Sequence, residues 1–260
     1  MKKKITAIIS ILAMFVLILS GCSSSSKSVT QEQGTLTIGL EGTYAPYSYR
    51  ENGKLTGFEV ELGKDLAKEM GMKAKFVPTK WDSLIAGLNS KTFDVVLNNV
   101  AINSSRKKQY IFATPYVYSK SVLITKEGNK DITSVKDLKG KKMAEGTGTD
   151  NWLNAEKFGG NISPSTDFAT TMSMIKDGRV DATINSKEAY LTYIKDSKTT
   201  GLQYRVVSSK DIKASEIAPI MNKNSTELQK EMNKAMNKLQ KDGTLKKLSI
   251  KYFGEDITQK

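Results

Sequence analysis

The chain has 260 residues, 40 of them Lys or Arg against 27 Asp or Glu, for a formal net charge of +13, with one cysteine and no histidine. A single cysteine excludes an intramolecular disulfide. Without histidine, Ser-His-Asp and Cys-His catalysis and the usual zinc ligand sets are excluded, and apart from that one thiol only carboxylates, hydroxyls, Lys and Arg remain to do chemistry.

The basic excess does not read as nucleic-acid binding. The lysines are scattered over solvated helix faces, as at Lys230, Lys234, Lys238 and Lys241, without interleaved aromatics. At the amino end, Met1-Lys2-Lys3-Lys4 precedes an apolar run over residues 5–19 broken only by Thr6 and Ser10. A bilayer-spanning helix needs about 20 residues, and no basic stop-transfer cluster follows, so residues 1–21 read as a secretory signal. The sequence Leu19-Ser20-Gly21-Cys22 resembles a bacterial lipobox. That resemblance implies cleavage before Cys22 and acylation there, with a diacylglyceryl group on its sulfur and fatty chains such as palmitate. Two or three chains exceed the single-chain threshold for stable anchoring. Residues 22–33 are too poor in apolar side chains to fold and form a flexible tether.

Residues 36–40 then predict a strand, and Phe58, Leu62, Leu66 and Met70, four apart, a helix closed by Gly71. A second strand follows at 73–77, a short helix on Trp81, Leu84, Ile85 and Leu88, and a third strand at 93–97, whose continuous apolar character suits a parallel sheet covered on both faces. This is an open α/β sheet. A second alternation begins at 121–125 and runs through a turn or helix at 134–138, a strand at 142–144, helices at 150–158 and 169–177, and a strand at 180–185. Leu228, Met232, Ala235, Met236 and Leu239 then make one face of a late helix started by Asn224 or Ser225; this methionine stripe is core. Two α/β lobes result, the first over 34–120, the second over 121–211, with 212–260 returning to the first. Hinge crossovers are expected at 119–121 and 210–214.

In open α/β sheets ligands collect beyond the carboxyl ends of the strands. Residues 41–49 lie there, with Glu41 and the tyrosines Tyr44, Tyr47 and Tyr49 around Pro46; so do residues 78–81, with Trp81, and 98–106, with Asn98, Asn99 and Arg106. Aromatic rings on a loop offer an apolar face and a polar tip to a small ligand. Only four residues are arginine, at 50, 106, 179 and 205. A guanidinium grips a carboxylate through two parallel hydrogen bonds, which lysine cannot do, and Arg106 stands where such a grip is useful.

The stretches at 42–47 (GTYAPY), 55–62 (LTGFEVEL), 81–88 (WDSLIAGL), 93–96 (FDVV), 106–108 (RKK), 242–245 (DGTL) and 252–254 (YFG) together resemble the polar amino-acid-binding proteins of ABC importers, solute-binding family 3, over 34–255. The resemblance implies a bilobed class II periplasmic-binding-protein fold: two open α/β sheets, joined by two hinge crossovers, that close on one amino acid. A monomer of that kind delivers its ligand to a membrane permease from the extracytoplasmic face, without cofactor or metal. It implies that Arg106 holds the ligand carboxylate, helped by a backbone N–H of the turn containing Gly148 and Thr149, and that Tyr44 and Trp81 sandwich the ligand. Glu41 lies nearby, and Asn99 and Ala101 receive the ammonium. Two positions depart from the pattern: Ala101 replaces a Ser or Thr, and Ser186 stands where the family has its ammonium-binding Asp. A buried ammonium without a carboxylate is costly, so Glu41, Glu188 or the amides of Asn98 and Asn99 must compensate, or the ligand is presented differently. The stretches 81–84 and 97–100 are most similar to the cystine-binding branch. The alternatives are a receptor for another polar amino acid such as glutamine, and a dehydratase-like enzyme on the same fold with Glu41 as its acid or base.

Overall fold

The computed structural model describes residues 28–260. The signal peptide, Cys22 and part of the tether lie outside the described residues.

The first body starts with β1 (Thr35–Leu40), the hairpin β2 (Tyr49–Glu51) and β3 (Lys54–Thr56), α1 (Phe58–Glu69), β4 (Lys73–Pro78), α2 (Trp81–Leu84), α3 (Ala86–Asn89), β5 (Val95–Val96), α4 (Ser104–Gln109), β6 (Tyr110–Phe112) and β7 (Val117–Ser119). The second comprises β8 (Ser121–Lys126), a 3-10 turn at Val135–Leu138, β9 (Lys142–Glu145), α5 (Asp150–Lys157), β10 (Asn161–Pro164), α6 (Phe168–Lys176), β11 (Ala182–Ser186), α7 (Lys187–Ser197) and β12 (Leu202–Val206). The chain then returns through β13 (Ser215–Ile217), β14 (Ile220–Asn222), α8 (Thr226–Lys241) and α9 (Thr244–Phe253).

Two five-stranded sheets result, ordered β4-β1-β5-β14-β6 and β10-β9-β11-β8-β12. Between them β7 and β13 pair antiparallel, Ser119 opposite Ser215 and Val117 opposite Ile217, so both crossovers run as one narrow ribbon. A two-stranded ribbon with so few contacts is the compliant joint that hinge closure needs. Both sheets are mixed. β1 is parallel to β4 and β5, whereas β14 is antiparallel to β5 and β6, because it enters from the opposite end after the excursion through the second body.

Helix α1 forms where the apolar spacing places it. Glu59 and Glu61 sit in its first turn and Lys68 in its last, matching the helix dipole, and Phe58, Leu62 and Leu66 are fully buried. Gly57 precedes it at φ 124°, and a Cβ there would come 2.4 Å from the Tyr47 carbonyl oxygen, so only glycine lets α1 close against the tyrosine loop. The stripe Leu228, Met232, Ala235, Met236 and Leu239 of α8 is buried on the same core. Ser225 does occupy the N-cap, but without a side-chain hydrogen bond.

Two elements differ from the sequence expectation. The strand expected at 93–97 pairs as a ladder only at Val95–Val96, because the Asp94 carboxylate accepts the backbone N–H groups of Thr37 (2.8 Å) and Gln31 (2.9 Å) and fastens the chain there by a side chain. The helix expected from Trp81 to Leu88 divides at Ile85.

Candidate ligand-binding site

The carboxyl ends of β1, β4, β5, β9 and β11 face one another across a cavity of about 120 Å³ lined by both bodies. Glu41, Tyr44, Trp81, Asn98, Asn99, Ala101, Arg106, Thr149 and Ser186 all line it. Tyr47 does not. It is fully buried in the core behind Tyr44, on which it stacks with ring centroids 5.5 Å apart and planes 10° apart. Its part is to hold the Tyr44 ring flat from behind; the two look equivalent in sequence because the depth of Tyr47 is set by its packing on Phe253 and the core it shares with α1. Gly148 also lies off the cavity wall, on a groove outside it, and takes part through its carbonyl.

Arg106 is held from three sides. Asn103, N-cap of α4, accepts the Arg106 backbone N–H at 2.7 Å. The guanidinium donates through Nη1 to Ala101 O (2.8 Å) and through Nη2 to Gly148 O (3.1 Å), and it lies 5.7 Å from the Trp81 ring centroid. Asp150 Oδ1 is 3.9 Å from Nη1 and accepts from Asn103 Nδ2 at 2.6 Å. Burial lowers the Arg106 pKa and Asp150 opposes that shift. The Ala101 carbonyl, expected to receive a ligand ammonium, therefore already accepts from Arg106.

The answer for the two amides is different. Asn98 Oδ1 accepts the Glu41 backbone N–H (2.7 Å) and its Nδ2 donates to Glu41 Oε2 (2.8 Å), so this amide fixes a carboxylate. Burial raises the Glu41 pKa, while the Asn98 hydrogen bond pulls it down. Asn99 sits at φ 47°, a left-handed conformation that asparagine tolerates. Its backbone N–H donates to Glu59 Oε1 at 2.6 Å, and its Oδ1 is buried with no partner among the described residues. An unpaired buried acceptor costs about 1–3 kcal/mol, and this one belongs to a residue on the cavity wall.

Across the cavity, Thr149 caps α5, accepting from Trp152 N (3.0 Å) and donating to Gly146 O (2.8 Å). Ser186 caps α7 by accepting from Ala189 N at 3.3 Å. Glu188 is buried, accepts from Ser119 Oγ at 2.9 Å and lies off the cavity wall, so it serves the hinge and cannot meet the ligand there. Sequence reasoning missed Glu145, Asp150, Asp167, Phe168 and Asn185, which also line the cavity. Glu145 ends β9, so the strand-end rule that found Glu41 applies to it equally.

Among the contacts that draw the bodies together, Tyr44 OH donates to Asn185 Oδ1 (2.6 Å), Trp81 Nε1 to Thr147 O (2.7 Å), Arg106 Nη2 to Gly148 O (3.1 Å) and Asn103 Nδ2 to Asp150 Oδ1 (2.6 Å), and Tyr44 meets the Phe168 ring edge-on at 5.8 Å. The cleft is closed.

Two α/β lobes on a two-stranded hinge, closed over a polar cavity with a buried guanidinium and an aromatic pair, define a receptor for a small anionic or zwitterionic solute. Residues 36–255 match the model of the bacterial extracellular solute-binding proteins, family 3, and the chain belongs to that family. It is similar to the L-cystine-binding protein TcyJ of Escherichia coli K12, 41% identical over 233 residues covering 88% of this chain and 86% of that one. The L-cystine-binding protein TcyA of Bacillus subtilis 168 is 35% identical over 272 residues, covering 100% of both. Among solved structures, the L-cystine solute receptor of Neisseria gonorrhoeae in its unliganded open conformation is 37% identical, with 87% of this chain and 96% of that one covered and a TM-score of 0.57. The modest score at that identity fits an open cleft there and a closed one here.

Proposed function

We propose that this chain is a lipid-anchored receptor that captures L-cystine outside the cytoplasmic membrane and delivers it to an ABC importer. The observation that carries the reading is the buried Arg106 guanidinium against Trp81 at the lobe junction. It offers a ligand carboxylate a charged fork, with hydroxyls and amides around it rather than further cations. Cystine carries two zwitterionic ends and suits such a lining. Relatives that bear the name cystine-binding protein support the choice of ligand.

The lobes span 34–120 with 212–260, and 121–211, and rock about the β7–β13 ribbon. Acylated Cys22 holds the monomer at the membrane surface through the 22–33 tether, which leaves the cleft free to turn toward a permease. The protein binds its ligand without transforming it.

The test is a calorimetric titration of residues 29–260, stripped of carried-over ligand by partial unfolding and refolding, with cystine, cysteine, glutamine, histidine, arginine and glutamate. Micromolar or tighter binding of cystine, abolished by Arg106→Ala and followed by recovery of unchanged cystine, is the expected result. Tight binding of another member of the panel in place of cystine refutes the ligand assignment. Labelling of the full-length protein with radioactive palmitate, lost in Cys22→Ser, checks the anchor.

A further inference from the structure

Four carboxylates line the cavity, from Glu41, Glu145, Asp150 and Asp167, and among the described residues Arg106 is its only cation. Three of the four are part-buried and held by partners of their own. Asp150 is paired with Asn103 and Arg106. Asp167 caps α6 and accepts from Thr170 N (2.8 Å), Thr170 Oγ1 (2.9 Å) and Thr166 Oγ1 (3.1 Å). Glu41 is held by Asn98. The hydroxyl of Ser186 is committed to capping α7 and to Tyr44.

Glu145 is different. It is only 2% exposed, yet it stands on the cavity wall at the carboxyl end of β9, where its Oε1 accepts the Ile184 backbone N–H at 2.7 Å. The second body also contributes the hydroxyls and amides of Ser165, Thr171, Asn185 and Ser186 to the cavity lining. The charged groups on the elements around it are Asp167 at the start of α6, Asp150 at the start of α5, Glu41 opposite, and Arg106 beyond the Gly146–Gly148 turn. Among the described residues no cation pairs with it. Burial raises its pKa to about 8, against the hydrogen bonds from Ile184 and Thr183, so at neutral pH it is a carboxylic acid.

A buried carboxyl without a counter-charge is expensive for a protein to keep, and one that lines a ligand cavity with only neutral donors on it invites a cation from the ligand. Resting on the cystine reading of the same site, we infer that Glu145 is the carboxylate that receives an ammonium group of the ligand, and that it gives up its proton when the ligand arrives. The proton leaves the Glu145 carboxyl for solvent, and the resulting carboxylate pairs with the ligand ammonium. Arg106 and Glu145 then form the opposite poles of the site, one for each charge of the zwitterion. Two consequences follow. Binding releases close to one proton per ligand at pH 7, and affinity rises with pH up to about 8, by at most tenfold per unit.

The experiment is calorimetric titration of the stripped protein with L-cystine at pH 7 in phosphate and in Tris, whose ionisation enthalpies differ, repeated at pH 6 and 8, with Glu145→Gln in parallel. Expected are near-stoichiometric proton release in the wild type, its loss in Glu145→Gln, and binding by the variant weakened roughly ten- to hundredfold at pH 8, in the range of a charge-assisted hydrogen bond. N,N′-diacetyl-L-cystine, which has no ammonium, is expected to bind without releasing a proton and to discriminate little between the two proteins. Cystine binding without proton release, or with unchanged affinity and release in Glu145→Gln, overturns this assignment and leaves the receptor reading intact. No cystine binding by the wild type, with binding of another amino acid, overturns the cystine reading and this inference with it.

Discussion

Replacing Arg106 by Lys keeps the positive charge and removes the fork. In the structure the guanidinium uses one nitrogen on Ala101 O at 2.8 Å and another on Gly148 O at 3.1 Å, the second of these across the lobe junction, while its Cζ lies 5.7 Å from the Trp81 ring centroid. An ammonium is a point donor on a flexible stem and cannot serve both carbonyls and a bidentate carboxylate together. Losing one charge-assisted hydrogen bond to the ligand removes about 1.5–3 kcal/mol, or roughly ten- to hundredfold in Kd. Loss of the Gly148 contact weakens closure by about 1 kcal/mol, a further factor of roughly five. The expected rise in Kd is therefore on the order of 50- to 500-fold. Calorimetry with the stripped protein measures it, and thermal unfolding of the unliganded variant controls for folding: loss of about 1 kcal/mol moves Tm by roughly 2–4 °C for a chain of this size. If Arg106→Lys binds cystine within threefold of wild type while Tm shifts by no more than this, the ligand carboxylate is not read by the fork, and the orientation proposed for the ligand is wrong.

Tyr44→Phe removes the hydroxyl that reaches across the cleft to Asn185 Oδ1 at 2.6 Å and to Ser186 Oγ at 3.3 Å. A neutral hydrogen bond contributes about 0.5–1.5 kcal/mol, so the closed-to-open ratio of the unliganded protein falls roughly two- to tenfold, which small-angle scattering detects as a larger radius of gyration. The unliganded protein is also expected to lose stability as pH rises. Burial lifts Glu59 to about 7 and Glu145 to about 8, from 4.5. Below 4.5 both states hold these protons; above it the unfolded chain gives them up while the folded chain retains them until pH passes through about 7 and 8. Denaturant midpoints of the stripped protein should fall between pH 5 and 8, and Glu59→Gln should flatten part of that slope. A midpoint rising across that window contradicts the burial argument.

Much of the site was legible in the sequence because it depends on local pattern. A strand followed by a polar loop marks the ligand end of an α/β sheet wherever the strand lies in space, so Glu41, Tyr44, Trp81 and Arg106 came forward as candidates, and the structure puts all four on one wall. The four-residue spacing of Phe58, Leu62 and Leu66 and the methionine stripe of α8 likewise settle which helix faces are buried.

What the sequence by itself determined is thus the kind of protein: two alternating α/β units, an arginine among lysines at a strand end, and no histidine chemistry. Tertiary structure decided which polar groups remain available to a ligand. Asn98 and Asn99 are neighbours in the chain, yet one clamps Glu41, 57 positions away, while the other leaves its side-chain oxygen unpaired. Tyr47 turns into the core while Tyr44 turns to the cleft, and Glu145 becomes a carboxyl of the cavity because β9 runs alongside β11 and meets Ile184. These assignments follow from strand order and register, which bring together residues tens of positions apart. A hydrogen-bonding group can be matched to its partner only when both ends of that pairing are in place.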